Sequence, residues 1–311
     1  MNKKSTKNLP NKNGIFDPPT LAKAGGLAYS GATVFLVLGS FFLLLVLTLL
    51  GLTNEGYDQK DWFLYCSYLL PQAVLFAVAF LCLKFLKMPV KEYARSQKCK
   101  PIYFLIAILL QMGLWSLSEL NGLFLKFLGK FGYEDGGILL PSMEGFGFVG
   151  VLIVVALLPA LMEELVFRGV LLNGLKSFKT VSAVVLCGAL FSLYHRNPAQ
   201  TLYQFCCGTA FALVAIRSGS ILPTVVSHFI NNAVILILTK CGVTAYPTPV
   251  LIVVVCVSAV CLAVSLWYLI WKAEKTETRV DGKEKKHFFL FASVGIIVCA
   301  ISWISALISG F

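Results

Sequence analysis

The residues most able to do chemistry in this sequence lie in the segment LMEELVFR, positions 161–168. Two adjacent carboxylates, Glu163 and Glu164, and the guanidinium of Arg168 stand in a run that is otherwise apolar enough to span a bilayer. Each ionisable residue near the centre of a membrane helix costs on the order of 3 kcal/mol on insertion. Three such residues so close together therefore indicate a function, and chemistry inside the membrane is the first that they suggest.

Helical spacing separates the two carboxylates. Glu164 and Arg168 are four residues apart, so they share a helix face and can form an ion pair. Glu163 lies about 100° around the helix from Glu164 and has no basic residue three or four positions later. The pair therefore ties down one carboxylate and leaves Glu163 available as a general base.

A proline lies four residues before Glu163. Pro159 removes one backbone hydrogen bond of the helix, which predicts a kink and a freed carbonyl at Val155 near the carboxylates. A kink that serves only packing explains Pro159 equally well.

Two of the three histidines lie at apolar positions. His195 ends the run FSLYH that begins at Phe191, and His228 lies in SHFINN, four residues before Asn232. His287, which borders a basic loop, is explained as an interfacial residue. Each histidine alone is explained by packing, but ionisable residues inside a membrane face the bundle interior and need partners there. We therefore expect the two histidines, the two glutamates, Arg168 and Asn232 to meet in one polar cavity.

The composition is that of a polytopic membrane protein. The 311 residues are 58% hydrophobic and 13% charged, with a mean hydropathy of +0.82, whereas soluble domains carry about 25% charged residues. The net charge of +11 comes from short loops, where basic residues set topology, so it does not indicate a nucleic-acid partner. The ten cysteines have neither zinc-site nor disulfide-framework spacing.

An all-α bundle of eight or nine transmembrane helices is predicted. About 20 apolar residues cross the hydrocarbon core as a helix. The candidate spans are 27–52, 62–86, 101–124, 147–173, 180–196, 200–216, 220–239, 249–271 and 288–309. The fifth and sixth are short and weakly separated. Around them we expect a disordered cytosolic tail over 1–26, N-terminal helices over 27–130, a catalytic core over 147–240 and C-terminal helices over 249–311.

Loop charge orders these spans. The tail and the loops after the second, fourth and eighth spans are rich in lysine, while the loops after the first and third spans carry more acidic residues. This alternation predicts a cytosolic N-terminus and, with nine spans, an external C-terminus. It places Glu163 near mid-bilayer and His195 towards the outer half of its span, although the two must meet.

Three motifs in order resemble those of the CAAX-protease and bacteriocin-processing (CPBP, or Abi) family of intramembrane proteases. They are EExxxR from Glu163 to Arg168, FxxxH from Phe191 to His195, and HxxxN from His228 to Asn232. The resemblance covers about residues 147–240. It implies an endopeptidase related to the CAAX prenyl endopeptidase, in the plasma membrane of a bacterium, acting on a peptide or protein substrate that reaches the cavity from the cytosol or the bilayer.

The resemblance also implies roles for single residues. Glu163 would activate a water, His195 would help to hold that water or a metal ion, and His228 and Asn232 would stabilise the oxyanion. Glu164 and Arg168 would support the site.

The presence of a metal stays open. Glu163, His195 and His228 are the residues that would bind a divalent ion such as zinc, which takes three protein ligands and a water in catalytic sites. A glutamate–histidine site that activates water without a metal needs the same residues.

Two other functions compete with proteolysis. A non-catalytic membrane immunity or scaffold protein would keep the same fold without needing Glu163. A proton- or ion-coupled transporter would also use buried glutamate and histidine, but it predicts ionisable groups on more spans and broken helices in matching halves.

Overall fold

The computed structural model describes residues 18–85, 95, 97–243, 245–275 and 282–311, and all its regular structure there is helical. Ten helices follow one another along the chain. They are α1 (Pro18–Leu49), α2 (Asp61–Phe85), α3 (Ile102–Leu114), α4 (Leu117–Gly129), α5 (Gly147–Gly174), α6 (Thr180–Tyr194), α7 (Thr201–Ser218), α8 (Leu222–Lys240), α9 (Thr248–Lys272) and α10 (Gly282–Ser309).

The predicted all-α membrane bundle is confirmed. Helices α3 and α4 follow each other as one span, Ile102–Gly129, so that eight helical segments of the described residues are long and apolar enough to cross a membrane. The fifth of the nine predicted spans, 180–196, is α6, which is apolar but only 15 residues long and so does not count among the eight. Many large apolar side chains on α1, α9 and α10 point outwards, as expected for surfaces that face lipid.

The chain passes back and forth between two ends of the bundle. At one end, here called the basic end, Lys100 pairs with Glu274 and Ser177 donates to Glu284. At the opposite end, the loop between α4 and α5 contacts the start of α2, where the backbone N–H of Ser142 donates to Asp61. Because α1 starts at the basic end and α10 finishes at the opposite one, the two termini of the bundle lie at different ends.

The first helix begins earlier than the sequence predicts. Residues 18–26, which we expected in a disordered tail, are the first turns of α1, and the side chains of Leu21, Ala22 and Ala24 are buried. Gly25 lies against α5, where a Cβ would be 2.8 Å from the Cα of Gly174. This packing stabilises helix in a stretch that is too polar to read as membrane span. Residues 1–17 of the predicted tail lie outside the described residues.

Helix α6 ends inside the bundle, which explains how His195 reaches the level of the glutamates. Its 15 residues span about 22 Å, less than the hydrocarbon core of about 30 Å. The loop that follows is held by Asn121 of α4, which donates to Ala199 O at 2.7 Å. Helix α4 continues from there to Gly129, about 12 Å further. The loop is therefore recessed, and irregular backbone at such depth is tolerated where it is buried in protein or lines a cavity.

Helices α6 and α7 touch through two glycines. A Cβ on Gly208 would lie 2.8 Å from the Cα of Gly188, and a Cβ on Gly188 would lie 2.1 Å from Thr209 Oγ1. Small residues at a crossing let helix backbones approach closely. This contact sets the position of Phe191 and His195 on α6 relative to the glutamates of α5.

Candidate active site

The centre of the site is a buried carboxylate that contacts two basic side chains, Arg168 and His228. Glu164 is fully buried, and its Oε1 accepts a hydrogen bond from Arg168 Nη1 at 2.7 Å, which forms the i,i+4 pair expected from the spacing. The same oxygen lies 2.9 Å from Nδ1 of His228. Helix α5 and helix α8 are thus joined by one carboxylate oxygen. Because Glu164 is held by Arg168 on one side, its contact with Nδ1 fixes the orientation of the His228 ring.

The guanidinium of Arg168 lies between two aromatic rings. Its central carbon is 4.2 Å from the Phe191 ring centroid and 5.4 Å from that of Phe211. Its Nη2 is 3.4 Å from the carbonyl oxygen of Gly208. A buried arginine is stable when its charge is paired and its faces are stacked. Arg168 therefore links α5 to both α6 and α7.

Glu163 is the carboxylate left without a strong partner. Its side chain is 12% exposed, and its buried Oε2 has no hydrogen-bond partner among the described residues. That oxygen lies 3.9 Å from Nε2 of His228. For a water about 2.8 Å from both atoms, the angle between the two at the water oxygen would be about 90°. The gap is therefore the right size for one bridging water.

His195, the last residue of the FxxxH motif, lies at the recessed end of α6. Its Nδ1 is 2.8 Å from the carbonyl oxygen of Phe191, so Nδ1 carries the proton and Nε2 keeps a lone pair. The ring is close enough to Glu163 and His228 to interact electrostatically with both. Nε2 is thus the ring nitrogen of His195 that is able to accept a hydrogen bond from a water.

Asn232 binds the carbonyl that Pro159 frees. Its Nδ2 donates to Val155 O at 3.3 Å, and Pro159 lies four residues after Val155 with no N–H to offer. Two stretches of α5, Leu152–Leu157 and Glu164–Leu171, are wound more widely as π-helix. Such turns often occur at functional sites. The local sequence gives no sign of them.

The sequence analysis missed a set of neutral polar residues behind Asn232. Asn231 Nδ2 donates to Asn232 Oδ1 at 3.1 Å. Asn231 Oδ1 in turn accepts from Gln111 Nε2 at 2.7 Å and from Tyr203 OH at 2.9 Å. One signal was available, since Gln111 is the only strongly polar residue in the helix sequence IYFLIAILLQMGL.

The predicted metal ligands do not form a zinc site. In the described part of the chain, no three His, Cys, Asp or Glu side chains come together as a ligand set. Two ligand atoms 3.9 Å apart, each about 2.1 Å from an ion, would subtend about 140°, against about 109° in a tetrahedral site. The spacing of Glu163 and His228 suits a water better than a zinc ion.

The charges of the site balance when His228 holds two protons. Glu163 and Glu164 then carry two negative charges, and Arg168 and His228 two positive ones. A neutral cluster reduces the penalty of placing ions in a low-dielectric interior. In that state Nε2 of His228 is a donor that faces Glu163 and the cavity, since Nδ1 is held by Glu164.

Comparison with known proteins identifies the part of the chain that carries this cluster. Residues 145–234 match the family described as Type II CAAX prenyl endopeptidase Rce1-like. Neither the curated proteins nor the solved structures gave a significant match. The matched segment begins just before α5 and ends within α8, so it contains all three motifs. Residues 145–234, which carry all three motifs, are thus similar to the Rce1-like CAAX prenyl endopeptidases, and this match supports the resemblance that the motifs indicate.

Proposed function

We propose that this protein is an intramembrane endopeptidase that hydrolyses a peptide bond with a water activated by Glu163. The observation that carries the proposal is the buried Oε2 of Glu163, which has no hydrogen-bond partner among the described residues and lies 3.9 Å from His228 Nε2. The family match supports the same class of reaction. Both glutamates would be expected to form close hydrogen bonds if they only stabilised the bundle, yet Glu163 stays 3.9 Å from its nearest basic group while Glu164 is 2.7 Å from Arg168.

The first step is proton transfer from water. Glu163 takes one proton while His195 Nε2 accepts a hydrogen bond from the other, which aims the oxygen lone pair at the substrate carbonyl. The oxygen of water bonds to the carbonyl carbon, and the π electrons move to the carbonyl oxygen. His228 Nε2–H and the second amide hydrogen of Asn232 then donate to that oxyanion, and one such donor contributes about 3 kcal/mol to lowering the barrier.

The second step breaks the peptide bond. The oxyanion collapses, the C–N bond breaks with its electron pair going to nitrogen, and Glu163 returns its proton to the leaving amine. The products are one carboxylic acid and one amine, and the enzyme ends in its starting state. Glu164 and Arg168 take no proton, because they hold the His228 ring in place.

The test of this proposal is replacement of Glu163 by its neutral isostere. Membranes of cells that carry wild type or Glu163→Gln are compared by proteomics, and the substrate accumulates uncleaved in the variant. That segment, made as an internally quenched peptide, is then incubated with each purified protein. Glu163→Gln is expected to lose at least about 1,000-fold in kcat, because no other carboxylate is free to act as base.

A matched control is Glu119→Gln, the same chemical change at an exposed glutamate of α4. It should cleave like wild type. Full cleavage by Glu163→Gln would remove the enzymatic interpretation and leave the immunity or scaffold function, which requires the fold but not this carboxylate.

A further inference from the structure

We propose that Gln111, Tyr203 and Asn231 form a positioning relay that fixes the oxyanion-binding amide of Asn232. The proposal rests on the proposed endopeptidase function and extends it to α3 and the start of α7, neither of which carries a motif residue. None of the three residues touches the reacting atoms in this scheme. Their role is to decide which face of the Asn232 amide points to the substrate.

The relay is a directional chain of hydrogen bonds. Gln111 Nε2 donates at 2.7 Å, and Tyr203 OH at 2.9 Å, to Oδ1 of Asn231. Two donors on one oxygen fix the Asn231 amide, so its Nδ2 faces the other way. That nitrogen donates to Asn232 Oδ1 at 3.1 Å. The orientation of one amide is thereby passed to the next.

The consequence is a fixed donor at the site. An asparagine amide that could flip would present its oxygen to the substrate part of the time, and an oxygen facing an oxyanion is repulsive. With Oδ1 of Asn232 occupied, Nδ2 must face Val155 O, 3.3 Å away. One hydrogen is used there and the second remains for the substrate. Preorganised donors of this kind lower the barrier because they need no reorientation during reaction.

The burial of Gln111 shows that the relay is not a by-product of packing. Its side chain is fully buried beside the apolar cluster formed by α3, α7 and α9. Its Oε1 has no hydrogen-bond partner among the described residues, and burying an unsatisfied amide oxygen costs about 1–3 kcal/mol. An apolar residue of the same length would avoid this cost, so the Nε2 donor is what the glutamine supplies.

The test combines activity with stability in single and double variants. Gln111→Met and Tyr203→Phe are purified. The rate of cleavage of the quenched peptide and the melting temperature are then measured for each variant. Each variant should lower kcat by about 10-fold, short of the about 100-fold or more for losing the donor in Asn232→Ala. KM should stay unchanged, since the oxyanion exists only after attack. The melting temperature of Gln111→Met should be equal to that of wild type or higher, so that the activity falls while the stability does not.

The double variants separate a relay from an independent effect. In the Asn232→Ala background, Gln111→Met and Tyr203→Phe should change kcat by less than about 2-fold, because the amide that they orient is gone. Tyr103→Phe, which removes a tyrosine hydroxyl from the same helix as Gln111, is the matched control and should act like wild type.

Three results would overturn the proposal. Wild-type kcat in both Gln111→Met and Tyr203→Phe would refute the relay, as would losses that persist unchanged without Asn232. In both cases an inactive Glu163→Gln would leave the endopeptidase function standing. An active Glu163→Gln would instead refute the endopeptidase function, and the relay with it.

Discussion

At the scale of single residues, spacing within one helix was predictable and contacts between helices were not. The pairing of Glu164 with Arg168 follows from their separation of four residues, and in the structure Glu164 Oε1 lies 2.7 Å from Arg168 Nη1. The stacking of Arg168 on Phe191 and Phe211 could not be predicted, because those rings come from α6 and α7. Nothing in a single sequence states which helices are neighbours.

This environment predicts the effect of removing Arg168. Arg168→Ala leaves the fully buried Glu164 without its main counter-charge, which should cost about 3–5 kcal/mol. We expect a lower melting temperature in detergent, lower folded yield and loss of cleavage.

The controls for this prediction separate charge from size. The exposed Lys130→Ala should change stability by less than about 0.5 kcal/mol. The double variant Glu164→Gln with Arg168→Met should recover part of the melting temperature, because no buried charge is then left unpaired. A wild-type melting temperature for Arg168→Ala would show that the pair does not stabilise the fold.

At the scale of helices, the length and type of each element follow from hydropathy, but the depth at which a helix ends within the bundle does not. The predicted span 180–196 agrees closely with α6, Thr180–Tyr194. Its end is recessed because α4 and α10 extend beyond it. Two hydrogen bonds show where these helices pass the loop after α6: Asn121 of α4 donates to Ala199 O, and Trp303 of α10 donates to Thr201 Oγ1. That relation depends on three helices distant in sequence, so the depth of His195 could not be derived from the hydropathy of α6.

The close crossing of α6 and α7 gives a prediction at this scale. In Gly208→Ala the new Cβ would lie 2.8 Å from Gly188 Cα and 3.1 Å from Phe191 Cδ1. The helices must separate, which should cost about 1–3 kcal/mol and shift His195 and the Gly208 carbonyl that binds Arg168. We expect kcat to fall by about 10-fold or more, measured with the quenched peptide, because a misplacement of about 1 Å can cost 100-fold.

Gly122→Ala in α4 is the matched control for this crossing. A Cβ there meets nothing within 4 Å, so the change only improves helix propensity, by up to about 1 kcal/mol. If Gly208→Ala were as active and stable as Gly122→Ala, the crossing would not set the geometry of the site.

At the scale of the whole molecule, α1 occupies a more central place than hydropathy suggests. It packs lengthwise against α10, where the Ser30 hydroxyl donates to Phe291 O at 2.6 Å and accepts from Gly295 N at 3.0 Å. Helix α1 thus packs against α10 along its length and against α5 near its start. Hydropathy identifies α1 and α10 as spans but carries no information on which spans meet, and so it could not predict the packing that extends α1 back to Pro18.

Two natural cysteines allow the orientation of the bundle to be tested without added tags. Cys99 lies at the basic end, next to Lys98 and Lys100, and Cys241 lies just beyond α8 at the opposite end. Lysine-rich loops stay in the cytosol. A membrane-impermeant maleimide added to intact cells should therefore label Cys241 and spare Cys99 until the membrane is permeabilised.

The chemistry of Cys99 sets the conditions of this labelling. Burial raises the pKa of its thiol, and since the thiolate is the reactive form, the reaction must be run at alkaline pH. Cys99→Ser and Cys241→Ser assign each signal, and Cys256, exposed only on the lipid-facing α9, should stay unlabelled in both. Labelling of Cys99 in intact cells, with Cys241 protected, would reverse the orientation. The end of the bundle from which the loop after His195 is recessed would then face the cytosol.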